Sequence, residues 1–161
     1  TFFKEKNFGI PIRLIYEKEI LGTGGGILNA KEFLRNSEYS IVVNTDIISN
    51  FDLNKIISAH RTSYRDVTLL IQKRITKKYL AFDKELNFHG RFSENSKEYE
   101  PYAFNGVHIL SKRFFELPIQ EGYSDIIEIY ISNSKNLSIK GYDAENSTFL
   151  DIGKMKNLIF Q

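Results

Sequence analysis

An α/β fold with a mostly parallel, mixed sheet is the architecture that this sequence predicts. Segments rich in branched and aromatic residues alternate with segments whose apolar residues recur at helical spacing, as in chains that wind helices around a sheet. Two of the predicted strands, Ser40–Asn44 and Val67–Gln72, are nearly unbroken apolar runs, which is typical of parallel strands covered on both faces. A length of 161 residues without repeats or linkers favours one domain over residues 1–161.

The first third of the chain predicts two strands, a glycine loop and two helices. Ile12–Tyr16 is short and rich in branched and aromatic residues and predicts a strand. Gly22–Gly26 predicts a loop that leads into a helix over Ile27–Leu34, and Ser40–Asn44 predicts the next strand. Asp52 is placed to cap a helix that ends near residue 63.

The remaining sequence predicts a hairpin, three further strands and three helical segments after the buried strand Val67–Gln72. The predicted strands are Tyr79–Asp83, Asn87–Phe92, Tyr102–Leu110, Leu137–Tyr142 and Thr148–Ile152. The helical segments are Lys112–Leu117, Ser124–Asn133 and a last helix that begins near Lys154. Right-handed crossovers place the active site of such a sheet outside the carboxyl ends of its strands.

Composition excludes several classes of function. The chain has no cysteine, which excludes disulfides and thiolate metal sites and fits a cytoplasmic protein. A net charge of +2 gives no reason to expect a nucleic-acid partner. No apolar run reaches the roughly 20 residues of a membrane helix. We interpret the densest basic stretch as a solvated loop; its residues are Lys73, Arg74, Lys77 and Lys78. The dispersed histidines are interpreted as structural; they are His60, His89 and His108.

The glycine segment Gly22–Gly26 is the first candidate for ligand binding. Glycines at a helix start let the backbone approach a ligand closely, and free N–H groups there favour an anion or the edge of a base. The alternative is a flexible turn. No Gly-Lys-Ser/Thr follows, and Ile27 stands where a dinucleotide fingerprint has its third glycine.

Two aspartates at predicted strand ends are candidates for a magnesium site. Asp46 follows the strand Ser40–Asn44, and Asp151 ends the last strand. Mg²⁺ is held by one or two protein carboxylates and takes its other oxygens from phosphate and water. The alternative for Asp46 is a turn residue that bonds its own backbone, whereas Asp52 is interpreted as a helix cap.

Three segments together resemble the sugar-1-phosphate nucleotidyltransferase family: Leu21–Ile27, Val43–Asp46 and Asp151–Gly153. The family includes glucose-1-phosphate thymidylyltransferases and mannose-1-phosphate guanylyltransferases. The triple glycine and the Asp-Ile-Gly ending are most similar to the N-acetylmuramate-1-phosphate uridylyltransferase branch and its bacterial relatives. The resemblance implies a Rossmann-like three-layer α/β/α fold of the nucleotide-diphospho-sugar transferase type.

The resemblance also implies roles for individual residues. Gly22, Thr23, Gly24 and Gly25 match the nucleotide-binding segment, Asp46 and Asp151 the catalytic metal aspartates, and Asn105 and Gly106 the sugar pocket. Mg²⁺ is the implied cofactor. Small-molecule substrates, a nucleoside triphosphate and a sugar 1-phosphate, are the implied partners, with no nucleic acid and no membrane, and homo-oligomerisation stays open.

The sequence departs from the family pattern at four places. The family's N-terminal Gly-Thr-Arg loop and the lysine segment after it have no match in this sequence. Thr1–Lys4 looks like the middle of a helix, so we expect the first strand and phosphate loop of the domain to be missing. The chain alone is then expected to be nearly inactive. Asn-Gly-Asp appears as Asn44-Thr45-Asp46, and Glu-Lys-Pro is not recognisable near residues 92–95. Asn-Ala-Gly appears as Phe104-Asn105-Gly106, which shifts the asparagine by one.

The implied reaction is attack by a sugar 1-phosphate oxygen on the α-phosphorus of a nucleoside triphosphate, with release of pyrophosphate. The nucleophile is already an anion, so the reaction needs positioning and charge neutralisation rather than a general base. Two alternatives stay open. One is an NAD-dependent oxidoreductase that uses the glycine segment for phosphate and Asp46 for ribose; the other is a non-catalytic nucleotide- or sugar-binding module.

Overall fold

The computed structural model describes Phe3 and residues 6–153. Its α-helices are α1 (Gly22–Asn29), α2 (Lys31–Leu34), α3 (Leu53–Thr62) and α4 (Ile126–Asn133), with a 3₁₀ helix at Lys112–Glu116. Its strands are β1 (Tyr39–Val43), β2 (Ile47–Ser49), β3 (Val67–Gln72), β4 (Tyr79–Phe82), β5 (Phe88–Arg91), β6 (Glu100–Ser111), β7 (Ile139–Asp143) and β8 (Phe149–Asp151). Most predicted elements are confirmed, including the β4–β5 hairpin and the helical turn after β6.

The main sheet is built on β6, which is long enough to pair with three strands. β3 lies along one edge of β6, and β7 follows β3. On the other edge, β4 pairs with the first residues of β6 and β1 with its last residues, Val107–Ser111. β1 therefore has β6 as its single sheet neighbour within the described residues.

The predicted α/β class with a mixed sheet is confirmed, but the expectation of mostly parallel pairing is wrong for the described strands. β3 and β7 pair in parallel, whereas β6 runs antiparallel to β1, β3 and β4. An unbroken apolar sequence indicates that both faces of a strand are covered. It does not indicate whether the neighbouring strand runs parallel or antiparallel. β1, β3 and β7 still point the same way, so their carboxyl ends meet at one edge of the sheet.

Helices cover both faces of the sheet and give the expected three layers. Alternate residues of β3 divide between the two faces: Leu69 packs in a cluster with α1 and α4, and Leu70 packs in a second cluster with Ile56 of α3. Leu69 and Leu70 are fully buried, as expected of a strand covered on both faces, and so is Val107 of β6. Val42 is half-buried and Val43 is 48% exposed, because β1 is an edge strand.

Three local expectations need correction. Residues 12–16 form no strand: they pair with no other strand among the described residues, and the side chain of Tyr16 is 84% exposed. Gly22–Gly26 is not a loop before a helix but the first part of α1 itself. Val43 is not buried, for the reason just given.

The last strand does not join the main sheet. β8 pairs antiparallel with β2, a strand the sequence analysis did not predict, in a separate two-stranded ribbon. A three-residue strand has too few ladder bonds to fix its neighbour by itself, and Thr148 is also held by hydrogen bonds to Asn50 and Ser49.

The cap of α3 is confirmed, since the Asp52 carboxylate accepts hydrogen bonds from the amides of Asn54 and Lys55 at 3.0 and 3.4 Å. The helix expected from Lys154 and most of the segment Thr1–Lys4 lie outside the described residues. None of the helices in the described part has the length and hydropathy that crossing a bilayer requires.

Candidate active site

The β2–β8 ribbon brings Asp46 and Asp151 together although they are far apart in sequence. Asp46 lies in the turn between β1 and β2, and Asp151 is the last residue of β8, opposite Ile47. The carbonyl oxygen of Asp46 accepts a hydrogen bond from the Ile152 amide at 2.8 Å. The ribbon thus fixes the backbones of the two aspartates side by side.

The carboxylates of Asp46 and Asp151 both lie near Gly153, which sets an upper limit on their separation. A methyl group built on Gly153 would lie 2.5 Å from Oδ2 of Asp46 and 3.4 Å from Oδ1 of Asp151. The two oxygens are therefore at most about 6 Å apart, and side-chain rotation can bring both to one ion that takes oxygens at about 2.1 Å. Oδ1 of Asp151 also accepts a hydrogen bond from the Gly153 amide at 3.1 Å.

This pair of carboxylates fits magnesium better than a transition metal. No group of three or more His, Cys, Asp or Glu side chains converges anywhere in the described ranges. Two hard oxygen donors match Mg²⁺, which completes its shell with phosphate and water.

The glycines of α1 are required for packing. A side chain on Gly24 would stand 2.7 Å from Ile129 of α4, and one on Gly25 would collide with the carbonyl oxygen of Gly122. The amides of Gly24 and Gly25 both donate to the carbonyl oxygen of Ser124, at 2.9 and 3.3 Å. These two amides are therefore not available to a nucleotide, contrary to the expectation for a free helix start.

Gly22 and Thr23 are the first two residues of α1. The Thr23 hydroxyl accepts a hydrogen bond from the Ile126 amide at 3.1 Å and so caps the first turn of α4. Both residues line a cleft, whereas Gly24 and Gly25 are buried. Of the four predicted nucleotide-binding residues, the structure places Gly22 and Thr23 where a ligand can reach them.

Gly106 supports the site residue Asn44 through its backbone. It has φ of +70°, a conformation that favours glycine, where the β3–β6 register shifts between Leu69 and Ile71. Its carbonyl oxygen accepts a hydrogen bond from the Asn44 amide at 2.8 Å, and the Asn44 side chain packs against its Cα face. The irregularity in β6 thus positions Asn44 beside the aspartates.

Two clefts meet at this point. The first cleft, of about 730 Å³, is lined by residues of α1, β1, the turn after β1 and β6, including Gly22, Thr23, Gly26, Asn44, Asp46 and His108. The second cleft, of about 370 Å³, lies between the ends of β3–β6 and α4 and includes Thr23, Asn44, Arg74, Lys78, Arg91 and Asp151. Thr23 and Asn44 line both clefts, and the candidate metal ligands are divided between them, with Asp46 in the first and Asp151 in the second.

Arg74 is a site residue that the sequence analysis missed. The basic stretch was interpreted as a solvated loop, but Arg74 is half-buried in the second cleft. Burial lowers the pKa of its guanidinium and the negative charge of Asp151 opposes that shift, so the group stays charged. Its place two residues after a buried strand is the signal that could have identified it.

Asn105 does not fill the predicted sugar-binding role. Its side chain lines neither cleft and is 1% exposed. The side-chain oxygen Oδ1 of Asn105 accepts a hydrogen bond from Nε of Arg74 at 2.8 Å. The side-chain Nδ2 of Asn105 donates to Oε1 of Gln72 at 3.3 Å. The one-residue shift relative to the family pattern turns Asn105 away and leaves Phe104 to line the second cleft.

The histidines have the structural contacts expected of them. Buried His60 hydrogen-bonds Thr68 at 2.9 Å, and exposed His89 pairs with Asp83 at 3.2 Å. His108 lies under the first cleft, 1% exposed, with Nδ1 at 2.5 Å from the hydroxyl of Tyr130. Burial lowers the pKa of His108 to about 3, so this imidazole is neutral at physiological pH.

Comparison with known proteins gives a single consistent family. The family model described as nucleotidyl transferase matches residues 2–160. A mannose-1-phosphate guanyltransferase beta-A of Xenopus laevis is 32% identical over 113 residues, covering 67% of this chain and 31% of that protein. A D-glycero-alpha-D-manno-heptose 1-phosphate guanylyltransferase of Campylobacter jejuni is 28% identical over 160 residues, covering 94% and 66% respectively.

The fold comparison agrees. The crystal structure of HddC from Yersinia pseudotuberculosis superposes with a TM-score of 0.68 at 21% identity, covering 88% of this chain and 61% of that one. The chain therefore spans about a third to two thirds of the length of these relatives.

Proposed function

The chain belongs to the nucleotidyl transferase family, and on that premise we propose that it transfers a nucleotidyl group from a nucleoside triphosphate to a sugar 1-phosphate, with release of pyrophosphate. The relatives above are guanylyltransferases of mannose and manno-heptose 1-phosphates. GTP with mannose 1-phosphate is therefore the first substrate pair to test.

The meeting of the two clefts is the observation that carries the proposal. A reaction between two phosphate-bearing substrates needs two binding spaces that open on one point. The first cleft, with Gly22, Thr23 and Asp46, has the volume for a nucleotide, and the second cleft holds the cationic groups that suit a sugar phosphate. Thr23 and Asn44 stand at the junction, where the two phosphates would approach each other.

The chemistry requires little more than positioning and neutralisation. A sugar 1-phosphate is an anionic nucleophile, so no side chain has to remove a proton. This agrees with the histidines, each of which is engaged in structural contacts. Asn44 can donate its amide to a phosphate oxygen at the junction, and Thr23 fixes the distance between α1 and α4.

Asp46 and Asp151 are the residues that would hold Mg²⁺. When bound, the ion supplies positive charge that offsets repulsion between the two phosphates and polarises the phosphoryl oxygens.

The test measures pyrophosphate release by the full-length protein with a panel of nucleoside triphosphates and sugar 1-phosphates in the presence of Mg²⁺. Asp46→Asn and Asp151→Asn are expected to lower kcat at least a hundredfold and to leave the melting temperature within a few degrees of wild type. Asp52→Asn is the matched control, because asparagine caps α3 equally well. Unchanged turnover in both site variants would remove the metal role, and no turnover of any pair by the wild type would remove the function.

A further inference from the structure

We propose that Arg74 binds the phosphate of the sugar 1-phosphate and that Asn105 is the positioning residue that aims it. This inference rests on the proposed function, because it assigns the sugar phosphate to the second cleft. It adds a phosphate ligand on the loop after β3, outside the glycine segment and the two aspartates.

Two hydrogen bonds and a ring contact fix the orientation of the Arg74 guanidinium. Its Nε donates to Asn105 at 2.8 Å, and its Nη2 donates to the carbonyl oxygen of Phe104 at 2.9 Å. The guanidinium plane lies over the ring of Phe149, 4.0 Å from its centre. Nη1 has no hydrogen-bond partner within residues 6–153, so one donor remains for a ligand in the second cleft.

Asn105 connects this cation to the segment that carries Asp151. Its amide donates to Gln72, whose own amide donates to the carbonyl oxygens of Glu145 and Ser147 at 3.2 and 2.8 Å. Those carbonyls precede β8, the strand that ends at Asp151. A partly buried chain of hydrogen bonds therefore connects Arg74 to the segment that leads into Asp151, so that a phosphate can meet both the cation and the metal site.

The other cations of the second cleft are less suited to this role. Arg91 is bound to Glu128 through Nε and Nη2, with a shortest contact of 2.6 Å, and Lys78 is exposed to solvent. A half-buried guanidinium interacts with an anion more strongly than an exposed ammonium does, and its planar fork matches phosphate oxygens. Arg74 is therefore the cation of this cleft that combines burial, a fixed plane and an unused donor.

The test compares four variants of the full-length protein: Arg74→Met, Arg74→Lys, Asn105→Ala and, as control, Arg61→Met on the exposed side of α3. KM is measured for each substrate with the other saturating. Arg74→Met should raise KM for the sugar 1-phosphate about tenfold to a hundredfold, the range for loss of a charge-assisted hydrogen bond. Arg74→Lys should recover part of that loss, and Asn105→Ala should raise the same KM by a smaller factor.

KM for the nucleoside triphosphate should change less than threefold in all four variants. Equal increases in both KM values, or an unchanged KM for the sugar 1-phosphate, would overturn the proposal while leaving the proposed function intact.

Absence of turnover in the wild type with every substrate pair would remove the proposed function instead. Inorganic phosphate is then titrated and followed by ³¹P line broadening. Phosphate binding that Arg74→Met abolishes and Arg61→Met preserves would keep Arg74 as a phosphate ligand. Binding that survives in Arg74→Met, or no binding by the wild type, would overturn that role.

Discussion

Acidification below about pH 6.5 should destabilise this protein through His108. His108 is 1% exposed, lies opposite Leu69 and Val42 in the sheet, and hydrogen-bonds Tyr130. Burial lowers its pKa from 6.5 to about 3. The unfolded chain therefore binds a proton at His108 between these values and the folded chain does not, so stability rises with pH across this window.

The size of the effect follows from the shift. At one pKa unit per 1.36 kcal/mol, His108 should remove about 2 kcal/mol from the free energy of unfolding between pH 7.5 and pH 5. Burial also lowers the pKa of His60, with the charge of Arg65 acting in the same direction, so His60 adds to the loss. The contribution of His108 is isolated by His108→Asn, whose amide oxygen can still accept a hydrogen bond from Tyr130.

The assay is urea unfolding at pH 7.5 and pH 5, compared between wild type and variant. His108→Asn lowers stability at neutral pH by altering a packed core, but its further loss at pH 5 should be about 2 kcal/mol smaller than that of the wild type. His89→Asn, on the exposed face of β5, controls for removal of a surface histidine. Equal losses in wild type and His108→Asn would refute the argument.

Two further substitutions test the backbone features that position the site. Gly106→Ala should destabilise the protein by about 1–3 kcal/mol, because φ is +70° and the new methyl would stand 2.9 Å from the side-chain Nδ2 of Asn44. Urea unfolding measures the loss, and a stability equal to wild type would contradict this prediction. Asp52→Ala should cost about 1 kcal/mol by removing the cap of α3, measured as a lower melting temperature with unchanged KM values; a change in KM instead would show that Asp52 belongs to the site.

The sequence predicted elements well where local chemistry decides them. Val67–Gln72 is a strand at its predicted bounds, and Asp52 caps its helix as expected. Direction of pairing was not predictable from the same patterns, because β6 and β3 are equally apolar whether they run parallel or antiparallel. Residues 12–16 have the composition of a strand, but a strand exists only where a neighbour completes its hydrogen bonds.

The candidate site was predictable in its aspartates and not in its cation. Asp46 and Asp151 follow apolar segments, and strand ends are where ligands meet a sheet. Arg74 follows a buried strand, but Lys73 follows the same strand, so position in the sequence points to both residues. Lys73 forms an exposed ion pair with Glu100 instead. The distinction of Arg74 comes from Asn105 and Phe149, 31 and 75 positions further along the chain.

The triple glycine Gly24–Gly26 does not indicate which nucleobase the protein binds. It was most similar to the uridylyltransferase branch, whereas the relatives reported above are guanylyltransferases. Gly24 and Gly25 are needed so that α1 can approach Ser124 and Ile129. A glycine selected for close packing carries no information about the base.

Both walls of the site depend on contacts that close loops on the order of a hundred residues. Gly24 bonds Ser124 on one side, and Ile47 pairs with Asp151 on the other. We expect such contacts to form after the β3–β6 core. The ribbon, with exposed Ile48 and Leu150, should open at lower free energy than that core. Opening separates Asp46 from Asp151 while the sheet stays folded. A ligand that bridges the two carboxylates therefore holds the ribbon closed, so binding and local ordering of the chain become one equilibrium.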